Sequence, residues 1–164
     1  LPCKVLLPDL ILSELFVDKS KMTELLKDED IVPASVEVLR DQEDLQVVFD
    51  KLGPGFWVRS SSGTSGLGSL RVFNETDLRN WIKINPGIEV FLASKYLPGR
   101  NLACKMLYFD GKLLRAAVGE RVNYIMAKVA PSGITGNTSF GRLVNEPEVV
   151  KECARAMDFI FDQT

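Results

Sequence analysis

The sequence predicts an α+β fold made of a small α/β lobe, an antiparallel sheet and a closing helix. Residues 35–83 alternate between strand-like and helix-like patterns, in the order β-α-β-loop-β-α. From residue 88 the chain changes to strand-length apolar runs, two of which flank the hairpin turn Asp110-Gly111. Residues 148–161 carry apolar side chains at helical spacing, which is typical of a helix that packs against a sheet. We therefore expect two lobes within one chain.

The helices and strands before the serine-rich part of the chain are predicted from caps and breaks. Residues 5–17 are apolar but interrupted, and they favour a strand or a turn. Asp18 is a typical N-cap for a short helix over 19–27. A strand over 35–39 precedes a second helix, which is predicted over 41–52 because its first four residues resemble a capping box.

A loop rich in serine and glycine, residues 60–69, lies between two apolar runs of strand length. Small residues expose backbone N–H groups and let them approach an anion closely. Arg59 precedes the loop and adds a cation, so the combination suits a polyphosphate. The P-loop and dinucleotide-binding motifs are absent and a strand follows the loop, which is therefore expected to cover phosphates as a flap. The alternative is a hairpin tip that binds nothing.

Beyond the flap, Asn74 is predicted to cap a helix over 75–83. Four strands are then expected to form a second, antiparallel sheet, and a loop leads from them to the closing helix. The strands are predicted over residues 88–95, 101–109, 112–119 and 121–129, and the loop over 131–145.

Composition argues against several classes of function. The formal net charge of −2 disfavours a nucleic-acid surface, and every apolar run is shorter than the roughly 18 residues that span a bilayer. The chain has no histidine, which excludes histidine-based triads and metal ligands. Cys3, Cys104 and Cys153 are far apart in sequence, so neither a zinc cluster nor a disulfide framework is expected. The predicted compartment is therefore the reducing cytoplasm.

Several segments occur in an order that resembles the ATP-grasp superfamily, and most of all the ATP-binding domains of carbamoyl-phosphate-synthase-like carboxylate–amine ligases. They are residues 18–19 with 33–35, 56–59 with the flap, 93–101, 110–111 and 133–137. The resemblance covers residues 18–161. It implies a lid lobe over 18–95 and the first part of a second lobe over 96–164. Residues 1–17, which do not begin with Met, are interpreted as the remnant of a preceding region.

The resemblance implies that ATP lies between the two lobes. Lys19 and Arg59 match the basic residues on its phosphates, and Arg59 is also the predicted catalytic residue. Val58 is expected to pack on the adenine ring, and the backbone at the hinge to bond its edge. The predicted nucleotide-binding residues are Lys19, Arg59, Ser61, Ser62, Gly63, Thr64, Ser65, Gly66, Gly68, Lys95, Tyr96, Leu97 and Asn101.

The sequence departs from the family at two kinds of position. Lys95 stands where the family has a glutamate and cannot accept a bond from the adenine amino group, whereas Asn101 can still bond a ribose hydroxyl. The family's magnesium ligands, an acidic strand residue and a later Glu-x-Asn, are absent from the chain. No metal ligand is assigned within it, and the ligands of Mg²⁺ are expected beyond residue 164.

The leading hypothesis is the ATP-binding part of an ATP-dependent ligase that joins a small carboxylate to an amine or a thiol through an acyl phosphate. The alternatives are a non-catalytic nucleotide sensor that has lost the metal site and an interaction domain without nucleotide. Arg121 and Arg142 are further candidates for a contact with the substrate carboxylate. No nucleic acid or membrane partner is expected, and the sequence is compatible with a homo-oligomer.

Overall fold

A computed structural model describes residues 10–163 of the chain. The helices are α1 (Leu10–Val17), α2 (Lys19–Leu26), α3 (Gln46–Leu52), α4 (Glu75–Ile84) and α5 (Pro147–Gln163), and a 3-10 turn covers Lys27–Glu29. The strands are β1 (Ser35–Leu39), β2 (Phe56–Ser60), β3 (Leu70–Val72), β4 (Val90–Ser94), β5 (Leu102–Phe109), β6 (Lys112–Tyr124) and β7 (Thr138–Val144). The element order and the two antiparallel sheets confirm the predicted α+β class.

The first sheet has the strand order β1-β4-β2-β3, with all neighbours antiparallel. The predicted order β-α-β-loop-β-α over residues 35–83 is confirmed by β1, α3, β2, β3 and α4. The assignment of the strand at residues 88–95 to the second sheet is wrong. That strand, β4, pairs with β1 and β2 and places Phe91 opposite Val38 and Ala93 opposite Val58. Its apolar side chains are needed to complete the first core.

The core of the molecule lies between the first sheet and helices α3 and α4. Alternation along β2 turns Phe56 and Val58 into this core, where both are almost fully buried. Val48 from α3 and Leu78 from α4 cover them, and neither has measurable exposed surface. Burying an apolar side chain of this size contributes about 1.5–3 kcal/mol, so this core strongly stabilises the first lobe. The opposite face of the sheet carries Trp57 and Arg59, which line the cleft described below.

The second sheet has the order β5-β6-β7, with α5 against one face. Two predictions are wrong here. The strands predicted over 112–119 and 121–129 are one continuous strand, β6, which ends at Tyr124. Part of the loop predicted over 131–145 is strand β7, which pairs with β6. The sequence of β7 lacks an alternating apolar pattern because almost all of its side chains are exposed.

The start of the described chain is helical. The strand or turn predicted over 5–17 is wrong for residues 10–17, which form α1, and residues 5–9 lie outside the described part. The predicted cap at Asp18 is confirmed, because its carboxylate accepts from the backbone N–H groups of Ser20 and Lys21 at 3.0 and 3.1 Å. The second helix begins at Gln46 instead of 41, and the backbone N–H of Gln46 donates to the Asp44 carboxylate at 3.0 Å.

Packing of α5 on β5 brings two of the widely spaced cysteines together. Cys104 and Cys153 are free thiols joined by a hydrogen bond. Burial and the neighbouring thiol of Cys104 raise the pKa of Cys153. Beside them the Tyr108 and Phe161 rings meet edge to face at 5.5 Å. None of the helices in residues 10–163 is long and apolar enough to cross a membrane.

Candidate functional site

A cleft of about 480 Å³ separates the first sheet from the second lobe. Its volume falls in the range of about 300–1,000 Å³ that small-molecule pockets have. The outer face of the first sheet supplies Trp57, Arg59 and Ser94, and the flap residues 62–67 form a roof. The opposite wall comes from the second lobe and includes Asn101, Arg121, Ile134, Thr135 and Gly136.

The flap closes the cleft by touching the second lobe at its tip. Its base is pinned, because the indole N–H of Trp81 donates to the Gly68 carbonyl at 2.8 Å. At the tip, Ser65 and Gly66 both have positive φ, 59° and 75°, which turns the loop back on itself. A Cβ atom added to Gly136 would overlap the Cα of Ser65, so only glycine at 136 permits this approach.

Helix α2 is fastened to the flap at its first residue. The Lys19 backbone N–H donates to the Ser61 carbonyl at 2.9 Å, and the Lys19 ammonium donates to the Gly63 carbonyl at 2.8 Å. Asp18 completes the junction by accepting from the Ser61 hydroxyl at 3.1 Å. Burial, followed by the repulsion from Arg59, lowers the pKa of Lys19. An anion in the cleft would relieve that repulsion.

Arg59 lines the cleft with a buried N–H group that lacks a hydrogen-bond partner among residues 10–163. It projects from the outer face of β2, and burial lowers the pKa of its guanidinium. Its Nε–H is buried without a hydrogen-bond partner among residues 10–163, and no carboxylate in that range pairs with it. A buried donor left unpaired costs about 1–3 kcal/mol, and more when it is charged. An acceptor placed beside this Nε–H would remove that cost.

The far end of the cleft is aromatic. The Trp57 and Tyr96 rings lie 6.3 Å apart and are tilted by 39°. Arg71 stacks on Tyr96 at 4.0 Å and donates its Nε–H to the Gly55 carbonyl, which fixes the tyrosine against the first lobe. The expected contact of Val58 with an adenine ring is wrong because Val58 points into the core with 0% exposure. Its neighbour in the strand, Trp57, faces the cleft instead.

Arg121 and Arg142 are both engaged within the protein. The Arg121 guanidinium donates to the Thr138 hydroxyl at 2.6 Å and to the Gly136 carbonyl at 2.7 Å. It thereby holds the segment that meets the flap tip. Arg142 pairs with Glu120 at 2.8 Å. Neither arginine is a free carboxylate site, and Arg121 acts as a positioning residue for the wall of the cleft.

All but two of the predicted nucleotide-binding residues line this one cleft. Those that do are Lys19, Arg59, Ser62, Gly63, Thr64, Ser65, Gly66, Lys95, Tyr96, Leu97 and Asn101. Ser61 and Gly68 do not. Both are buried, and they hold the flap to α2 and to Trp81 respectively. Trp57 and Ser94 were missed, although strand alternation with Arg59 already places Trp57 on the same face.

The residues present do not fit the magnesium ion that the resemblance implies. Residues 10–163 contain no group of three or more Asp, Glu, Cys or His side chains close enough to hold a metal. The charged side chains that line the cleft in this part of the chain are basic: Lys19, Arg59, Lys95 and Arg121. Magnesium prefers carboxylate and water oxygens, so these four cations would repel it.

Three solved structures are similar to this chain over most of its length. VanG D-Ala:D-Ser ligase from Enterococcus faecalis has a TM-score of 0.65 at 18% identity and covers 94% of this chain and 46% of its own. D-alanine–D-alanine ligase from Bacillus anthracis complexed with ATP has a TM-score of 0.60 at 22% identity, and the match covers 88% of this chain and 45% of the ligase. L-amino acid ligase from Bacillus licheniformis has a TM-score of 0.61 at 17% identity, and the match covers 93% of this chain and 36% of the ligase. The chain spans less than half the length of each.

These ligases are ATP-grasp enzymes, and the shared architecture gives this chain the ATP-grasp fold. The fold predicted from the order of sequence segments is confirmed. At these identities the likeness establishes the fold alone. No model of a protein family matches the chain, and no curated protein matches it.

Proposed function

We propose that this chain is the ATP-binding clamp of a ligase that joins a small carboxylate to an amine or a thiol. The observation that carries the proposal is the unpaired, largely buried guanidinium of Arg59, which lines a roofed cleft beside Lys19. Two cations that form no ion pair within residues 10–163, under a loop of small residues, match the charge and shape of a polyphosphate. The lid lobe is then residues 18–95, and residues 96–164 are the first part of the second lobe.

The phosphates would lie beneath the flap, between Lys19 and Arg59. The Arg59 Nε–H would gain the acceptor it lacks, and the Lys19 ammonium would exchange the Gly63 carbonyl for a phosphate oxygen. Backbone N–H groups of the flap, residues 62–66, would contribute further donors. Each hydrogen bond to a charged group contributes about 1.5–3 kcal/mol.

The base would lie at the aromatic end of the cleft. Trp57 offers a flat apolar surface, and Tyr96 and Leu97 offer backbone groups to the edge of the ring. Asn101 is placed to bond a ribose hydroxyl. Lys95 supplies no acceptor for an exocyclic amino group, so discrimination between adenine and guanine would depend on the backbone alone.

In the proposed reaction a substrate carboxylate attacks the γ-phosphoryl group, forming an acyl phosphate while ADP leaves. The amine or thiol then attacks the carbonyl carbon, and inorganic phosphate leaves. Arg59 and Lys19 would act by holding the phosphoryl oxygens and balancing their charge, without covalent participation. The flap, docked on Gly136, would keep water from the acyl phosphate.

A non-catalytic nucleotide sensor is the second candidate. The basic cleft without nearby carboxylates in residues 10–163, together with Lys95 and Asn101, favours it. Both candidates require ATP binding, and they differ in turnover. Release of phosphate from ATP that depends on an added amino acid would favour the ligase.

Titration calorimetry with ATP tests the shared requirement. Arg59→Ala is expected to weaken ATP binding by at least about tenfold, because it removes charge-assisted bonds to the phosphates. Arg79→Ala is the matched control, since Arg79 pairs with Glu75 on the surface of α4, away from the cleft. ATP binding that is absent with and without magnesium, or equal in wild type and Arg59→Ala, would overturn the proposal.

A further inference from the structure

We propose that this cleft selects the metal-free polyphosphate of a nucleotide over its magnesium complex. The inference rests on the proposed function and adds which ionic form of the ligand is bound. The residues that line the cleft in this chain do not fit magnesium.

The charge distribution in the cleft carries the inference. Four basic side chains line it. Lys19, Arg59 and Lys95 belong to the first lobe, its entry helix and the hinge, and Arg121 belongs to the second lobe. The carboxylate next to Lys19, that of Asp18, accepts from two backbone N–H groups at the start of α2 and from the Ser61 hydroxyl. The positive charge of the cleft is therefore left for the ligand to neutralise.

Lys19 and Arg59 repel each other, and an anion bound between them would reduce this repulsion. Repulsion by Arg59 contributes to the lowered pKa of Lys19, so the two groups are close enough to interact as charges. The Arg59 Nε–H is itself buried and has no partner among residues 10–163. Charge–charge interactions are stronger in such surroundings than in bulk water. Each additional negative charge on the ligand therefore adds to affinity.

Magnesium weakens the attraction between the phosphates and the basic side chains of the cleft. A divalent cation on the phosphates cancels part of the negative charge that the cleft attracts, and it meets the cations that line the walls. Bound magnesium also keeps several waters, which need room and oxygen ligands. The cleft supplies amides, hydroxyls and cations there. The metal-free ligand is expected to bind about tenfold more tightly than the complex, from the loss of charge attraction.

Calorimetric titration of the full chain with ATP, once in EDTA and once in excess magnesium at matched ionic strength, measures the selectivity. Inorganic triphosphate is titrated in the same two media to isolate the phosphate contribution. We expect both ligands to bind about tenfold more weakly in magnesium. Equal or tighter binding in magnesium for either ligand overturns the inference.

Paired variants locate the effect. In the double variant Lys19→Ala with Arg59→Ala, the ratio of the two ATP affinities should fall toward one. Lys27→Ala is the control and should keep the wild-type ratio, because Lys27 pairs with Glu24 on the surface of the same helix region. A double variant that keeps the full ratio overturns the inference. Absence of ATP binding by the wild type in both media refutes the proposed function itself, which is a different result from ATP binding without selectivity.

Discussion

The two sheets of this molecule are stabilised in different ways. The first sheet buries one whole face against α3 and α4, and Val38, Phe56 and Phe91 have at most 1% exposed surface. In the second sheet, Val118 is the buried apolar residue among the strands in the described part of the chain, while Leu143 is 83% exposed. The second sheet depends more on backbone pairing and on ion pairs at its surface.

This difference explains where the functional groups lie. A site needs side chains held in fixed positions, and the packed first sheet provides them on the face opposite its core. Trp57 and Arg59 alternate with Phe56 and Val58, so the burial of one pair fixes the other pair over the cleft. The loosely packed second lobe contributes the opposing wall and the contact at Gly136.

Truncation of a core residue should separate the two sheets most strongly. Phe91→Ala removes a fully buried ring from the first sheet and is expected to lower the free energy of unfolding by about 3–5 kcal/mol. Leu143→Ala, in the second sheet, should change it by less than about 0.5 kcal/mol. Urea denaturation measures both. Similar losses for the two variants would show that the sheets do not differ in packing.

Removal of an arginine charge should have opposite effects in the two sheets. Arg59→Met replaces an unpaired, largely buried cation by an apolar side chain and should raise the unfolding free energy by about 1 kcal/mol. Arg142→Met breaks an exposed pair with Glu120 and should lower it by at most about 0.5 kcal/mol. Thermal denaturation without ligand measures both shifts. A destabilised Arg59→Met protein would mean that Arg59 is satisfied in the free state.

The contact between the flap and the second lobe can be broken at Gly136. A Cβ at this position overlaps Ser65, so Gly136→Ala should push the flap tip outward. We expect faster proteolysis within residues 62–67 and ATP binding weakened by about threefold, because the docked roof contributes less than the two cations. Gly87→Ala is the control, since open space surrounds a Cβ there. Unchanged cleavage of the flap would contradict the docked arrangement.

The ion pairs of the second sheet predict a small effect of pH. Arg100, then Arg142, lower the pKa of Glu120 from its ordinary 4.5 to about 2. A carboxyl group whose pKa is lowered in the folded state stabilises fully above its unfolded pKa, and loses that contribution as pH falls from 4.5 toward 2. The melting temperatures of wild type and Glu120→Gln should therefore converge between about pH 5 and about pH 2. A gap that stays constant over this range would contradict the assignment.

Local patterns in the sequence were sufficient for several elements of the first lobe. The alternation of β2, the cap at Asp18 and the cap at Asn74 are short-range signals, and each has its expected structure. The resemblance to the ATP-grasp superfamily, carried by the order of segments, predicted that Lys19 and Arg59 share one cleft, and both line it. Val58 was misplaced because the phase of the alternation was not applied to the residue next to Arg59.

Pairings between distant segments could not be predicted in the same way. The partners of β4 are β1 and β2, which both precede the flap, and an apolar strand fits equally well in either sheet by sequence alone. Strand β7 carries exposed side chains, so its only signal is the backbone pairing with β6. The meeting of Gly136 with Ser65 depends on the relative position of the two lobes, which no local pattern encodes.

The central claim, that a nucleotide polyphosphate is held by Arg59, can be tested at the atom concerned. In a ¹H–¹⁵N spectrum of arginine side chains, the Arg59 Nε–H signal is identified as the one missing from Arg59→Lys. Saturating ATP in EDTA should move this signal strongly, because an unpaired N–H gains a charged acceptor. An Arg59 signal that stays in place at an ATP concentration that saturates calorimetric binding would contradict the claim.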